Sequence, residues 1–449
     1  MLSARASSGR RDVAAAVDGP LRVRYHAAVT GDAWTPAEDR EDGPRIAIVL
    51  SGGGARGAYE AGVLSYLMAE LPRMLGRRPT FHIVSGASVG AIHASYWVAS
   101  LHEDDETRAA RLAEVWDSLT IEHVYRLNIG DLLRIPSRLF SFQFWPRSAS
   151  SGTLPDRLPG LLDTSALEAL VWQQIPWKHL RRNLRASGST LCVSCTEIAS
   201  GRAVVFVDGR RANLMPWQYD PYIVARPGAV GALHTLASAA IPLFFPAVRI
   251  GDHYYCDGGL RLNTPLSPAL RLGADRLLLI ALRHPPDETS AAADRAREVA
   301  YSNPAYLIGK VLNALLLDHV DYDLQHMRLV NSILAGGEEA FGPEFLPKMN
   351  TIVRERRGAS YKKVRECVVR PSEDLGRLAG VAYKQRARSL RPARVVSDLV
   401  MRSAAHGVPE GEADLLSYVL FDATYTRQLI ALGRADAARQ ADEIAALFA

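Results

Sequence analysis

The chain has 449 residues, of which 48% are hydrophobic and 22% charged, and its 53 basic and 48 acidic residues give a net charge of +5. This composition is typical of a globular protein with one large domain or a few smaller ones, and it excludes a fibrous repeat and a disordered chain. The charge favours anionic surfaces, but no recognition motif accompanies it, so we predict no nucleic-acid partner.

Two features of the sequence indicate the compartment. Residues 1–43 lack the apolar core of a signal peptide and predict a disordered tail. The four cysteines are too few and too scattered for a disulfide framework, which favours a reducing, cytoplasmic location. Cys192 and Cys195 form a C-x-x-C pair, but they lie in a run typical of a buried strand, and nothing completes a zinc site. We predict no metal site and, because residues 227–248 are interrupted by prolines, no membrane span.

A strand, a glycine loop and a helix open the folded part. Residues 45–50 are a short apolar run that predicts a strand, and residues 58–71 have helical spacing. The loop between them, S-G-G-G-A-R-G at 51–57, also satisfies G-x-G-x-x-G, the pattern of a dinucleotide site. That function needs an acidic residue about 20 residues on, where the chain has Val84, Ser85 and Gly86 instead. Backbone N–H groups of such a loop could alternatively hold developing negative charge.

A second strand, turn and helix follows in residues 81–95. The apolar run 81–84 leads into G-A-S-V-G at 86–90, and a helix pattern begins at residue 91. In a G-x-S-x-G elbow, glycines such as Gly86 and Gly90 leave room for a strained turn from which the serine hydroxyl projects. Ser88 is therefore a candidate nucleophile for an acyl carbon. The alternative is a glycine-rich loop with a capping serine.

Strands and helices alternate through the next part of the chain. The patterns predict a helical region at 91–119, strands at 191–197 and 203–207, a helix at 233–241, a hairpin at 248–256, a short helix after Pro265 and a strand at 276–282. This alternation predicts an α/β fold with a mostly parallel, three-layer sheet. Residues 129–162, which include aromatic residues at 140–145, are either a lid or interfacial flap over an acyl pocket or an ordinary insertion packed on the core.

The character of the sequence becomes helical after residue 283. We divide the chain into the tail 1–43, a catalytic domain 44–283 and a mainly helical region 284–449 that could pack on it. Within the last region we predict a helical stretch at 302–334 broken by short turns, a strand at 363–369, and helices at 415–421 and 429–433, the second ending at Gly433.

Acyl hydrolysis by a serine also needs a base. His284, His319 and His326 can be proposed, but none lies in a recognisable loop motif. Asp257 follows the predicted hairpin and precedes Gly258 and Gly259, so its carboxylate could approach another loop. The alternative is a turn aspartate that bonds its own backbone.

Four motifs in this order resemble the patatin-like phospholipase family: G-G-G-A-R-G at 52–57, G-A-S-V-G at 86–90, S-A-A-I-P-L-F-F-P at 238–246 and D-G-G at 257–259. The resemblance covers residues 45–282, and residues 414–436 are more loosely similar to bacterial members with an extended domain. Many members have D-G-A where this chain has D-G-G. The fold that this implies is an α/β/α patatin-like sheet with a helical C-terminal extension.

The resemblance implies a Ser-Asp dyad without a catalytic histidine, in which Ser88 is the nucleophile and Asp257 the base. The implied oxyanion hole is formed by Gly52, Gly53, Gly54, Arg56 and Gly57, with Gly86, Gly90, Gly258 and Gly259 supporting the motifs. The side chain of Arg56 would hold a lipid phosphate, or pair with a carboxylate and brace the loop. Because aspartate is a weak base, the site should be dry and burial should raise the pKa of Asp257.

We therefore expect a hydrolase of fatty-acyl esters, of glycerophospholipids in particular, that works through an acyl-Ser88 intermediate with neither metal nor organic cofactor. Its expected setting is the cytoplasm and a peripheral membrane surface, engaged by basic and aromatic residues of 129–162. The alternatives are a lysophospholipase, thioesterase or acyltransferase with the same dyad, and a lipid-binding module without activity. The oligomeric state is left open.

Overall fold

The computed structural model describes residues 43–125, 156–158, 160, 162–209, 217, 220–242, 244–285, 307, 310, 319–357, 359–387 and 414–449. Within them, ten strands form one sheet. The strands are β1 (Ile46–Leu50), β2 (Ile83–Ala87), β3 (Arg157–Leu158), β4 (Thr190–Glu197), β5 (Ala203–Gly209), β6 (Ile223–Pro227), β7 (Ala247–Ile250), β8 (His253–Asp257), β9 (Arg276–Ile280) and β10 (Arg365–Val369).

Helices cover both faces of this sheet. They are α1 (Gly57–Ala69), α2 (Leu71–Leu75), α3 (Val89–Ala99), α4 (Asp105–Ser118), α5 (Ile121–Val124), α6 (Ser165–Gln174), α7 (Trp177–Ser187), α8 (Ala232–Ser238), α9 (Gly259–Leu262), α10 (Leu266–Arg271), α11 (His319–Phe341), α12 (Phe345–Arg357), α13 (Leu375–Ala387), α14 (Asp414–Val419), α15 (Ala423–Arg439) and α16 (Ala441–Ala445).

The strand order is β10-β9-β1-β2-β4-β8-β7-β3, and β5 and β6 extend the sheet from β4. The pairs from β10 to β4 are parallel, whereas β4, β7 and β8 pair antiparallel. β5 pairs with nearly all of one edge of β4. β2 and β8 therefore share the other edge, where Ala87 lies opposite Ser194 and Asp257 lies opposite Cys195. The end of β2 and the end of β8 thus meet.

The residues of the central strands alternate between two hydrophobic clusters. Ile48 and Leu50 of β1 belong to the cluster that contains α1 and α3, whereas Ala47 and Val49 belong to the cluster that contains α10 and α11. Since successive strand residues point to opposite faces, both faces of the sheet are buried. The predicted three-layer α/β/α fold with a mostly parallel central sheet is confirmed.

The C-terminal helices pack on α1. The backbones of α1 and α15 approach so closely that a Cβ on Gly62 would lie 2.3 Å from the Ile430 carbonyl oxygen, and one on Gly433 would lie 2.2 Å from that of Tyr59. The prediction that Gly433 ends a helix is wrong, because it lies inside α15, where its missing side chain allows this contact. Residues Pro44–Ala449 form one compact unit, and the predicted boundary at residue 283 stays a prediction.

Other predicted elements differ in their bounds. The region 91–119 is two helices, α3 and α4, separated by a turn, and Asp104 caps α4 by accepting a hydrogen bond from the Thr107 amide. α11 runs without a break from His319 to Phe341, whereas the strand predicted at 363–369 is observed as β10. The tail 1–42, most of 129–162 and most of 302–318 lie outside the described residues. None of the helices in the described ranges combines the length and apolar character needed to span a membrane.

Candidate active site

Ser88 occupies a strained turn between β2 and α3. Its backbone angles are φ 53° and ψ −126°, and among the described residues it is the one non-glycine residue with positive φ. The turn fits because a Cβ on Gly86 would lie 2.2 Å from the Gly90 carbonyl oxygen, and one on Gly90 would lie 2.4 Å from that of Leu50. Such strain in a non-glycine residue marks functional sites and persists where the surroundings hold it.

A hydrogen-bonded anchor holds this turn from α8. The Ser88 amide donates to Ser238 Oγ at 2.9 Å, and the Ser238 hydroxyl donates to the Ser194 carbonyl oxygen at 2.6 Å. Ser238 belongs to the third sequence motif, but the pattern alone gave no reason to assign it this role. Ser238 ties the turn at Ser88 to β4, the strand that also pairs with β8.

Ser88 and Asp257 are in direct contact. The Ser88 hydroxyl donates to Asp257 Oδ2 at 2.7 Å, and the Gly259 amide donates to Oδ1 at 2.7 Å. The backbone of Asp257 is fixed by Ala240 and Thr196, and Gly258 donates to the Ser238 carbonyl oxygen at 3.2 Å. Both carboxylate oxygens therefore have a partner, and the one that faces Ser88 can accept its proton.

Burial raises the pKa of the Asp257 carboxyl group. Asp257 is 2% exposed, and desolvation raises its pKa from 3.8 to about 6, although the hydrogen bonds from Ser88 and Gly259 favour the ionised form. The predicted rise in the pKa of Asp257 is confirmed. At neutral pH the group is ionised yet more basic than an ordinary aspartate.

The glycine loop lies against Ser88, since a Cβ on Gly52 would lie 2.9 Å from the Ser88 Cβ. Within residues 52–57 of this loop, three backbone amides already have an acceptor. Gly52 donates to the Asn263 carbonyl oxygen at 3.0 Å, Arg56 to that of Gly53 at 3.1 Å, and Gly57 to that of Gly54. The amides of Gly53 and Gly54 have no hydrogen-bond acceptor among the described residues.

The comparison with known protein families agrees with this arrangement. Residues 48–270 match the sequence model of the family described as patatin-like phospholipase. The chain carries a patatin-like phospholipase domain.

Among solved structures, the chain is similar to VipD from Legionella pneumophila, with 13% sequence identity and a TM-score of 0.30. The alignment covers 84% of this chain and 66% of that chain, slightly less than two thirds of its length. No curated protein matches the sequence.

A buried polar chain holds the start of the glycine loop in the patatin-like domain. The Ser51 amide donates to Glu60 Oε2 at 3.0 Å, and Glu60 Oε1 lies 2.6 Å from His93 Nδ1. Trp116 Nε1 donates to His93 Nε2 at 2.9 Å, so a neutral His93 carries its proton on Nδ1 and donates it to Glu60. Burial raises the pKa of Glu60, and the hydrogen bonds from His93 and Ser51 oppose that rise. Sequence reasoning missed these residues because neither His93 nor Trp116 lies in a motif.

The side chain of Arg56 in the patatin-like domain points into the C-terminal region. Its Nε donates to Ser417 Oγ at 2.7 Å, and its Nη2 lies 3.1 Å from Asp414 Oδ1. The side chain is 4% exposed, and its guanidinium stacks over the ring of Tyr418 at 4.4 Å. Of the two interpretations of Arg56, the structure shows the pairing with a carboxylate.

The histidines proposed as bases do not reach the dyad where the structure describes them. Neither His284 nor His326 hydrogen-bonds to Ser88 or Asp257 in the described part of the chain, and His326 is exposed. The side chain of His319 lies outside the described residues. The same described ranges contain no cluster of three or more residues suited to a metal ion.

Proposed function

We propose that the chain is a serine acyl hydrolase that cleaves fatty-acyl esters of phospholipids through an acyl-Ser88 intermediate. The observation that carries the proposal is the 2.7 Å hydrogen bond from the Ser88 hydroxyl to Asp257, in a buried elbow that the fold holds under strain. The match of residues 48–270 to the patatin-like phospholipase family supports the class of reaction.

In the first half of the reaction, Asp257 accepts the proton of Ser88 as the serine oxygen bonds to the ester carbonyl carbon. The carbonyl oxygen becomes an oxyanion. The candidate donors to it are the amides of Gly53 and Gly54, which have no acceptor among the described residues. Gly52, Arg56 and Gly57 would shape the loop rather than donate, because their amides already bond within the protein. When the intermediate collapses, the protonated Asp257 returns the proton to the departing alcohol.

In the second half, a water molecule attacks the acyl-Ser88 carbonyl carbon and gives its proton to Asp257. Collapse of this second oxyanion breaks the bond to Ser88, and Asp257 restores the serine hydroxyl. One ester and one water thus become one fatty acid and one alcohol. A base with a pKa of about 6 is ionised at neutral pH and accepts a proton more readily than an ordinary aspartate.

The test is release of p-nitrophenol from a medium-chain acyl ester, followed by a panel of phosphatidylcholine, lysophosphatidylcholine and acyl thioester. Ser88→Ala and Asp257→Asn should lose hydrolysis, whereas His284→Ala with His326→Ala should keep it. Loss of hydrolysis in the double histidine variant would indicate a triad that includes a histidine, and not a Ser-Asp dyad. A wild-type protein that cleaves none of these esters would refute the proposal, and turnover of the thioester or lysolipid alone would redirect it to those substrates.

We also propose that the enzyme engages membranes peripherally, through basic and aromatic residues of 129–162, most of which lie outside the described residues. Sedimentation with anionic and with neutral liposomes tests this. No binding to either kind of liposome would remove the proposal without affecting the hydrolase assignment.

A further inference from the structure

The C-terminal region reaches the glycine loop directly. α14, which lies well beyond the family match that ends at residue 270, supplies both partners of the Arg56 guanidinium, Asp414 and Ser417. Its backbone also borders the loop, since a Cβ on Gly54 would lie 2.5 Å from the Tyr418 carbonyl oxygen. The segment therefore contacts the loop by hydrogen bond, by ion pair and by close backbone packing.

We propose that Asp414 and Ser417 are positioning residues that hold the oxyanion loop through Arg56. The catalytic part of this inference rests on the proposed hydrolase function. Arg56 closes the 3-10 turn Gly54–Arg56 by donating its amide to the Gly53 carbonyl oxygen at 3.1 Å. Any movement of Arg56 therefore moves the turn beside the amides of Gly53 and Gly54, which have no acceptor among the described residues.

The partners of Arg56 are themselves fixed. The Ser417 hydroxyl donates to the Asp414 carbonyl oxygen at 2.6 Å, and Asp414 Oδ2 lies 3.1 Å from Lys310 Nζ. Arg56 is 4% exposed, so removing the carboxylate would leave a buried guanidinium without its counter-charge. Such a group moves towards water or recruits another partner, and the turn would follow it.

The C-terminal region also docks through contacts that do not involve Arg56. α15 packs along α1 through Gly62 and Gly433, and the ring of Phe448 contacts that of Phe81 with centroids 5.3 Å apart. Cutting the contact to Arg56 should therefore leave the C-terminal helices in place and change the loop alone. The effect of Asp414 and Ser417 on the loop can therefore be measured separately from their effect on the stability of the fold.

The experiment compares Asp414→Asn and Ser417→Ala with Asp436→Asn. The control, Asp436, is a buried C-terminal aspartate that accepts from the Ser372 amide at 3.0 Å and pairs with Arg439, away from the loop. For each purified protein we would measure kcat and KM for the p-nitrophenyl ester and amide hydrogen exchange in the peptide 50–58.

Asp414→Asn and Ser417→Ala should lower kcat by about tenfold with KM little changed, less than the 10²–10³-fold loss when an oxyanion donor is removed. Their 50–58 peptide should exchange faster, and Asp436→Asn should change neither quantity even if it melts earlier. Unchanged kcat and exchange in Asp414→Asn would overturn the inference, as would equal effects in Asp436→Asn. If the wild type hydrolyses nothing, the proposed function fails, and the exchange data still decide whether these residues hold the loop.

Discussion

Asp257→Asn should inactivate the enzyme and at the same time stabilise its fold. The asparagine is nearly isosteric: its oxygen can accept from the Gly259 amide, and its amide group can donate to Ser88 Oγ, so both hydrogen-bond positions remain filled. What the substitution removes is a buried negative charge. In the proposed mechanism the substitution removes the base, and in the folded state it removes the desolvation cost of that charge.

The size of the effect follows from the pKa of Asp257. Burial raises it from 3.8 to about 6, and each pKa unit corresponds to about 1.4 kcal/mol, so the ionised carboxylate destabilises the fold by about 3 kcal/mol. With a melting entropy of about 2.1 cal/mol/K per residue over the unit Pro44–Ala449, removing that cost should raise Tm by about 3 °C.

The raised pKa of Asp257 also determines how the unfolding free energy changes with pH. Folded Asp257 binds its proton more tightly than unfolded Asp257, so the unfolding free energy of the wild type falls as pH rises from 3.8 to about 6 and then levels off. The variant lacks this titration. The gain in unfolding free energy of Asp257→Asn over the wild type should reach its full size above pH 6 and vanish below pH 3.8.

Differential scanning calorimetry of both proteins at pH 8 and across the acid range measures this advantage. Asp436→Asn serves as a control, because it removes a buried carboxylate that pairs with the half-exposed Arg439 and accepts from the Ser372 amide, so it should lower Tm at pH 8. An Asp257→Asn protein that melts at or below the wild-type temperature at pH 8 would refute the account of Asp257 as a buried carboxylate whose ionisation destabilises the fold.

Three further predictions concern the same site. Ser88→Ala should abolish both ester hydrolysis and covalent labelling by a fluorophosphonate probe, and residual labelling seen by intact mass would place the nucleophile elsewhere. The wild-type kcat/KM should rise with pH around a midpoint near 6, as Asp257 ionises; a profile flat from pH 4 to pH 8 would exclude Asp257 as the base. Ser238→Ala leaves the buried Ser88 amide without its acceptor, which should lower the free energy of unfolding by about 1–3 kcal/mol. Urea unfolding measures this loss. Ser95→Ala, which removes one hydroxyl of another buried pair, is the control variant.

Local sequence patterns were enough to predict the elbow and the sheet. Ser88 follows an apolar strand and precedes a helix, and this order alone places its hydroxyl at the sheet edge. The partnership of Ser88 with Asp257, 169 residues later, came from a resemblance of motifs and not from periodicity. The structure gives its physical cause, since β2 and β8 end on one edge of β4 at neighbouring positions.

The contacts that hold the loop were beyond the reach of sequence reasoning. From the sequence, a lipid phosphate and a carboxylate were equally good partners for Arg56. The observed partner is the carboxylate of Asp414, which lies 358 residues away on a helix that the family match does not include. Gly433 resembled a helix stop because glycine ends many helices. The close packing of α1 against α15 shows a different reason for this glycine, because a side chain on Gly433 would collide with the backbone of α1.

The close crossing of α1 and α15 also has a consequence for biosynthesis. α1 leaves the ribosome early, but its partner follows about 350 residues later, which at 5–20 residues per second is a delay of roughly 20–70 s. During that time the face of α1 around Gly62 has no helix against it, and Arg56 has no carboxylate partner from α14. We expect nascent chains to need chaperone protection over this interval. Hydrolysis by the nascent chain should reach its full rate only after synthesis has passed residue 439, where α15 ends.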